Sequence, residues 1–213
     1  MPEAVCHKCG HRHQVERYGS VNTVKDPLLA DRVRDGSAFV WECPECGSAN
    51  LAVYPFLYHD PALRLMIWLV PPGTKEAGDI ELASEQLVET LDGYTLRLVE
   101  SVGDLIEKIS IFSAGLDDVV MEMCKHVTRL ELIQANGAKA SELASAPIRY
   151  YRMDGADNHI SFSFPSDGGM HAVEVGFNVY EDCRGILQRN PSIAPGKGFA
   201  RIDRLWADGL FGT

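Results

Sequence analysis

The apolar positions of this chain change period twice, and the changes divide it into thirds. In the first third they fall in short runs suited to strands. His13 to Ser20 reads as a strand, with Val15 and Tyr18 its largest apolar side chains. Asp26-Pro27 then opens a short helix, since aspartate caps free N–H groups and proline suits the first helical position. Leu28, Leu29 and Val33 give that helix one apolar face, and Gly36 ends it. Phe39 to Trp41, Asn50 to Tyr58 and Leu63 to Val70 follow as strands, the last two separated by the polar turn His59-Asp60-Pro61.

Pro71-Pro72-Gly73-Thr74 is the clearest break, and beyond it the spacing becomes helical. Ile80, Leu87, Val88 and Leu91 predict one amphipathic helix ending before Gly93. Tyr94 to Val99 alternates as a strand. Ser101 with Asp104 resembles a capping pair for a helix carrying Leu105, Ile106, Ile109 and Phe112. After Gly115, Leu116 to Leu132 continues as a helix with Val119, Val120, Met123, Val127 and Leu130 at core spacing, and Asn136-Gly137 marks a turn. The last third alternates again. Ile148 to Arg152 and His159 to Phe164 flank Asp154-Gly155-Ala156-Asp157-Asn158 as a hairpin, and His171 to Phe177 adds a third strand. Val179 to Gln188 reads as a helix, and Ala200 to Phe211 fits helix or strand equally.

Composition changes this picture little. A chain of 213 residues, 46% hydrophobic and 23% charged, has ordinary globular proportions. The longest apolar candidate, Leu63 to Val70, carries Arg64 and is far short of the ~18 residues of a membrane span. Met1 to Val5 lacks the basic and apolar segments of a signal peptide, so the expected location is cytoplasmic, with no membrane partner. The net charge of −10 is uneven: residues 73 to 145 hold six Lys/Arg against fourteen Asp/Glu. A field of that sign disfavours nucleic acid at long range. Lys8, Arg12, Arg17 and three histidines near the N-terminus leave a local contact open.

The candidate chemistry lies in the cysteines. Four of the six fall in two pairs of identical spacing, Cys6-His7-Lys8-Cys9-Gly10 and Cys43-Pro44-Glu45-Cys46-Gly47. Two intervening residues let both sulfurs of a turn reach one metal, and the following glycine lets the backbone turn without a Cβ clash. Cys6, Cys9, Cys43 and Cys46 are therefore the expected ligands of one structural zinc ion. Four thiolates close the coordination sphere, so such an ion holds the fold and activates no water. Iron in the same cage, a dithiol redox pair, or a ligand exchanged for His7, His11 or His13 are the competing readings. The fold class that follows is α+β: a zinc-ribbon-like β module over residues 1–72, packed against a helical segment and a C-terminal antiparallel sheet. Residues 73–213 form an α+β region completing the domain, with helices within 79–135, strands within 147–177 and a C-terminal segment.

Cys43-Pro44-Glu45-Cys46-Gly47, with Val21-Asn22 and Asp26-Pro27 before it and Leu57-Tyr58-His59-Asp60 after it, resembles the CpXC domain family. Arg97-Leu98-Val99, Leu105-Ile106-Glu107-Lys108-Ile109 and Gly115-Leu116-Asp117-Asp118 extend the resemblance over roughly the first two-thirds of the chain. His7 stands where the first pair of the family has proline, which bears on turn rigidity and not on ligation. The resemblance implies a bacterial or archaeal protein that binds zinc through the four cysteines, and it implies no particular activity.

Elsewhere the residues favour structural roles. His59-Asp60 reads as a turn capped by the aspartate, against a substrate-orienting or second metal site. Asp117-Asp118 suits the start of the Leu116 helix, because adjacent helical residues point about 100° apart and negative charge favours the N-terminus. Glu107-Lys108 reads as a surface pair. Cys124 fits a small core residue with His126 facing elsewhere, and Cys183 with His171 lacks the order of a nucleophilic pair. Asp154 to Asn158 lacks the ligand alternation of a calcium loop, and Pro195-Gly196-Lys197-Gly198 lacks the pattern of a phosphate loop. The sequence thus supports a zinc-stabilised, non-catalytic interaction or adaptor protein with a protein partner. A nucleic-acid-binding zinc ribbon and an enzyme with a site near His59-Asp60 are the alternatives.

Overall fold

Each cysteine pair sits at the tip of its own hairpin. In the computed structural model, which describes residues 3–74, 90–137, 140–155 and 158–212, β1 (Glu3–Val5) pairs antiparallel with β2 (Arg12–Gln14) around the first cysteine turn. After β3 (Ser20–Asn22) comes α1 (Pro27–Arg34), which starts as the sequence predicts: the Asp26 side chain accepts from Leu29 N, and proline holds the first position. Its buried face is Leu29, Ala30 and Val33, while Leu28 is 79% exposed and so does not belong to the apolar stripe. A 3-10 turn (Ser37–Phe39) leads into β4 (Val40–Glu42), which pairs antiparallel with β5 (Ala49–Leu51) around the second cysteine turn.

A four-stranded sheet follows. β6 (Phe56–Asp60) runs parallel to β3 and antiparallel to β7 (Leu65–Leu69), and β8 (Thr95–Val99) joins β7 in parallel. Along β6 the pattern alternates: Phe56, Tyr58 and Asp60 are buried, Leu57 and His59 half-buried. Phe39 meets Phe56 edge-on at 5.3 Å in the core beneath, beside Leu65, Ile67 and Leu69. On the β8 edge, Ala200 exchanges backbone hydrogen bonds with Leu96 and Leu98, and Phe199 packs on Trp68.

Three sequence expectations need correction here. The strand expected over His13 to Ser20 is two strands, β2 and β3, with Val15 to Gly19 between them. Asn50 to Tyr58 likewise splits into β5 and β6, interrupted before Pro55, which cannot donate to a ladder. His59 and Asp60 are the last residues of β6 and not a turn; the turn lies at Pro61 to Arg64, where Asp60 Oδ1 accepts from Ala62 N and Leu63 N.

The chain divides into two compact units: residues 1–106 with 197–200, and residues 107–196 with 201–213. The first contains everything described so far. α2 (Val102–Ser113) carries the expected capping pair, Ser101 Oγ accepting from Asp104 N and donating to its carboxylate at 2.6 Å. In the second unit Gly115 takes the left-handed conformation that separates two helices (φ 72°), and α3 (Asp118–Ala135) starts from an Asp117 cap. α4 (Ala140–Ser145) precedes an antiparallel sheet of β9 (Arg149–Asp154), β10 (His159–Ser166) and β11 (Gly169–Gly176), with β10 central. α5 (Phe177–Arg189) and α6 (Arg204–Phe211) complete it, so the ambiguous C-terminal stretch resolves as a helix capped by Asp203. The core joins Val120, Met123 and Cys124 of α3 to Ile160 and Phe162 of β10 and to Tyr180 and Cys183 of α5. Leu130, expected in that core, is 46% exposed.

The helix predicted from Ile80, Leu87 and Val88 lies outside the described residues, as do Ala156 and Asp157 of the predicted hairpin loop. No described helix is long and apolar enough to cross a membrane.

Candidate metal centre

The two cysteine turns repeat one geometry. In the first, Gly10 N bonds to Cys6 O at 2.9 Å and Cys6 N to His11 O at 2.8 Å; in the second, Gly47 N bonds to Cys43 O at 2.8 Å and Cys43 N to Ser48 O at 2.9 Å. Gly10 and Gly47 have φ of 74° and 66°, a region that a side chain resists, which is why glycine follows each pair. Backbone N–H groups then point at sulfur: those of Cys9 and Lys8 at Cys6, that of His11 at Cys9, and that of Ser48 at Cys46. Such donors favour thiolate over thiol.

The four Sγ atoms lie within 4.8 Å of one another and could hold one metal ion. Cys6 Sγ is 3.7 Å from Cys46 Sγ, and Cys9 Sγ is 3.6 Å from Cys43 Sγ. Tetrahedral sulfurs each about 2.3 Å from a shared ion have edges of about 3.8 Å, so the donor set fits such an ion. All four are free thiols. Their mutual repulsion divides them. The N–H of Cys9, against a smaller burial effect, draws the Cys6 thiol down to about 6. Although the N–H of His11 favours a thiolate at Cys9, burial and the neighbouring sulfurs of Cys46, Cys43 and Cys6 push that thiol up to about 12. A central cation relieves this conflict by compensating all four charges at once.

His7, His11 and His13 stand outside the sulfur cluster. His7 is held by Asn50: its backbone N and its Nδ1 lie 3.0 and 2.8 Å from Asn50 Oδ1, while Asn50 Nδ2 donates to Ser48 O at 2.7 Å. Buried Asn50 therefore ties the first cysteine turn to the second beside the four sulfurs, a supporting role that sequence reading missed. Its position two residues beyond the Cys-x-x-Cys-Gly-Ser turn, on the strand face shared with no other polar residue of β5, is the signal that was there to use. His11 sits 4.0 Å from Glu45, and His13 stacks on Trp41.

His59 is placed between Asn22 and Tyr94. Its Nδ1 lies 3.2 Å from Asn22 Nδ2, which can only donate, so the ring proton belongs on Nε2, 3.2 Å from the Tyr94 hydroxyl. Burial lowers its pKa below the ordinary histidine value. Both nitrogens are thus engaged in holding β3, β6 and the segment before β8. Asp60 faces the other side of the sheet, near Tyr58 and Arg34.

In the second unit, Asp117 caps α3 by accepting from Val119 N and Val120 N, as its sequence position implies. Glu107-Lys108 is a correction: both residues are buried, not surface. Lys108 Nζ bonds Asp118 at 2.8 Å, and Lys125 Nζ bonds Glu107 at 3.0 Å and Glu122 at 2.8 Å. Glu107 also accepts from Tyr150 N at 2.7 Å. Burial raises the Glu122 carboxyl against the pull of Lys125. Lys125 is desolvated too, yet the carboxylates of Glu107 and Glu122 more than offset this and hold it charged. His126 is also buried, stacked on Phe211 with Nδ1 3.3 Å from Asp208. The signal for this network was the stripe Asp118, Glu122, Lys125, Arg129, which shares one face of a helix. His171 bonds Ser166 O, while Cys183 is buried with Cys124 in the apolar cluster of the second unit.

The model of the CpXC protein family matches residues 4–125, more than half of the chain and the whole of the cysteine cluster. No curated protein and no solved structure gives a significant match.

Proposed function

The chain belongs to the CpXC protein family, and from that premise we propose that it is a zinc-stabilised, non-catalytic interaction module with a protein partner. The observation that carries this reading is the donor set: two matched turns present four sulfurs at tetrahedral spacing, and four thiolates leave an ion no position for water or substrate. Cys6, Cys9, Cys43 and Cys46 would hold the ion, and zinc suits an all-sulfur tetrahedron. What the ion supplies is rigidity for two hairpins of three-residue strands that could not persist alone.

An exposed apolar face on the second hairpin supports the interaction role. Val40 and Leu51 are directly opposite each other across β4 and β5 and are 51% and 56% exposed. Apolar side chains grouped on a rigid surface are what protein partners bury. A nucleic-acid target is the weaker reading, because a net charge of −10 offers phosphates no capture at long range.

The test pairs metal analysis with binding. Native mass spectrometry with thiol counting after unfolding should find one zinc per chain and two free thiols. Partner capture with the metal-loaded chain should recover a protein that Val40→Asp or Cys43→Ser loses. Salt-sensitive binding to DNA or RNA without such a partner would replace this reading with the nucleic-acid one, and a turnover abolished by His59→Ala would replace it with an enzyme.

A further inference from the structure

The break Pro71-Pro72-Gly73-Thr74 does more than end the first third of the chain. In the first unit it forms one side of a surface cavity of about 200 Å³, the space that about seven liquid waters occupy. Three connections meet there: Arg17 between β2 and β3, Val53-Tyr54-Pro55 between β5 and β6, and Pro71 to Thr74 after β7. The walls are stiff. Proline fixes its own φ at three of these positions, and the backbone N and hydroxyl of Thr74 both donate to Pro71 O, at 3.2 and 2.6 Å. Tyr54 is 4% exposed, and its ring rests on Phe39 at 5.6 Å, so this part of the lining is anchored in the core. The Tyr54 hydroxyl is buried and makes no hydrogen bond. Val53, 48% exposed, adds an accessible apolar side chain.

One charge stands at this cavity, and the chain does not neutralise it. The Arg17 guanidinium lies over the Tyr54 ring, 5.4 Å from its centroid. Stacking of this kind uses the face of the guanidinium and leaves the N–H groups along its edge to bond elsewhere. The adjacent acid, Glu16, is taken up by the Tyr18 hydroxyl at 2.6 Å. Among the described residues Arg17 has no carboxylate partner. An apolar lining with a few placed polar groups is the usual make-up of a small-molecule site, and a planar guanidinium is matched best by a carboxylate, which it binds through two parallel hydrogen bonds. We propose that the cavity binds a small monocarboxylic acid with an apolar body. The carboxylate pairs with Arg17, and the body lies against Val53, the Tyr54 ring and the prolines. One guanidinium balances one carboxylate, so a monoanion suits this site, whereas the net charge of −10 disfavours larger anions. The inference is independent of the interaction role proposed above, because it uses neither the metal cage nor the Val40–Leu51 face.

The experiment titrates the metal-loaded full chain with 3-phenylpropionate and follows amide signals by NMR. The amides of Val53, Tyr54, Gly73 and Thr74 should shift saturably, and the uncharged isostere 3-phenylpropanamide should bind at least about tenfold more weakly, the loss of one charged pair. Arg17→Met keeps most of the side-chain stem and removes the charge. Because Arg17 is exposed, signals far from the cavity should stay in place, while the affinity for the acid falls to that for the amide. The wild-type ratio of acid to amide is a readout that needs no variant. The proposal is overturned if the acid gives no saturable shift, if acid and amide bind wild type equally, or if Arg17→Met keeps the preference for the acid. Acetyl-glycyl-phenylalanine serves as the probe for a polypeptide end; tighter binding of it than of the free acid would overturn the assignment to a small molecule.

Discussion

The cysteine hairpins and the interface of α2 with α3 solve the same problem by opposite means. Each gathers charged or chargeable groups close together. The hairpins bring four sulfurs within 4.8 Å and supply no countercharge of their own. The helices bury Glu107, Glu122 and Asp118 together with Lys108 and Lys125 at 2.8 to 3.0 Å, so the compensating charge is part of the chain. On the proposed reading the first depends on an ion taken from solution, while the second is fixed at synthesis. The first should therefore respond to chelation and the second to pH.

Removing a sulfur is the sharpest way to break the comparison. Metal affinity in such a site is folding energy, of order 10 kcal/mol for an all-protein zinc cage. Cys43→Ser should lower the metal content from one per chain to none. Amide exchange over residues 3–14 and 40–51 should then approach that of free peptide, while residues 118–135 keep their protection. Hydrogen exchange with mass readout decides this, and simultaneous loss of both regions would show that the ion supports more than its own hairpins.

Next in size is the internal countercharge. Lys125→Met leaves two buried carboxylates without their ammonium and should cost about 3–5 kcal/mol in urea unfolding of the second unit. Metal content should not change. A loss below about 1 kcal/mol would show that water reaches the network.

Asn50→Ala acts on the outer layer of the metal site. It removes the bond that His7 N donates and should cost about 1–2 kcal/mol, with metal affinity falling about 10-fold or more in a chelator competition. Equal affinities for the two proteins would mean that Asn50 positions the strand and not the ligands.

The smallest expected effect is a pH slope. Burial raises the folded Glu122 carboxyl above its unfolded value, so its contribution is fully present below the ordinary carboxylate range and is lost as pH rises through the folded value. Glu122→Gln should flatten the stability profile of the second unit across that window, read from urea midpoints at successive pH values. An unchanged profile would show that Glu122 does not titrate within that window.

The two regions also differ in how far the sequence discloses them. Cys-x-x-Cys-Gly is a local pattern, and each turn is complete within five residues, so the clustering of the four cysteines could be read directly. Asp26, Ser101 and Asp117 were legible as caps for the same reason, each acting on N–H groups two or three residues away. Glu107 and Lys125 are 18 positions apart, so although the charged stripe on α3 was there to read, the partner of Lys125 on another helix was not. Asn50 and His7 are 43 positions apart, and their bond exists only because the two hairpins meet. The misplaced turn at His59-Asp60 has a related cause: Asp60 does cap a turn, but from the end of the strand before it.

The parallel pairing of β3 with β6 carries a kinetic consequence. Parallel strands cannot be joined by a tight turn, and here the crossover from Asn22 to Phe56 contains α1 and the whole second hairpin. Closing so long a loop is entropically slow, and the cost grows with the number of free links. The first cysteine turn precedes β3 and the second lies inside the crossover, so an ion that captures both turns in the unfolded chain shortens the search β3 and β6 must make for each other. Zinc would then set the rate at which the sheet forms as well as its final stability, and a cell short of the metal would accumulate chains whose sheet edges are still open.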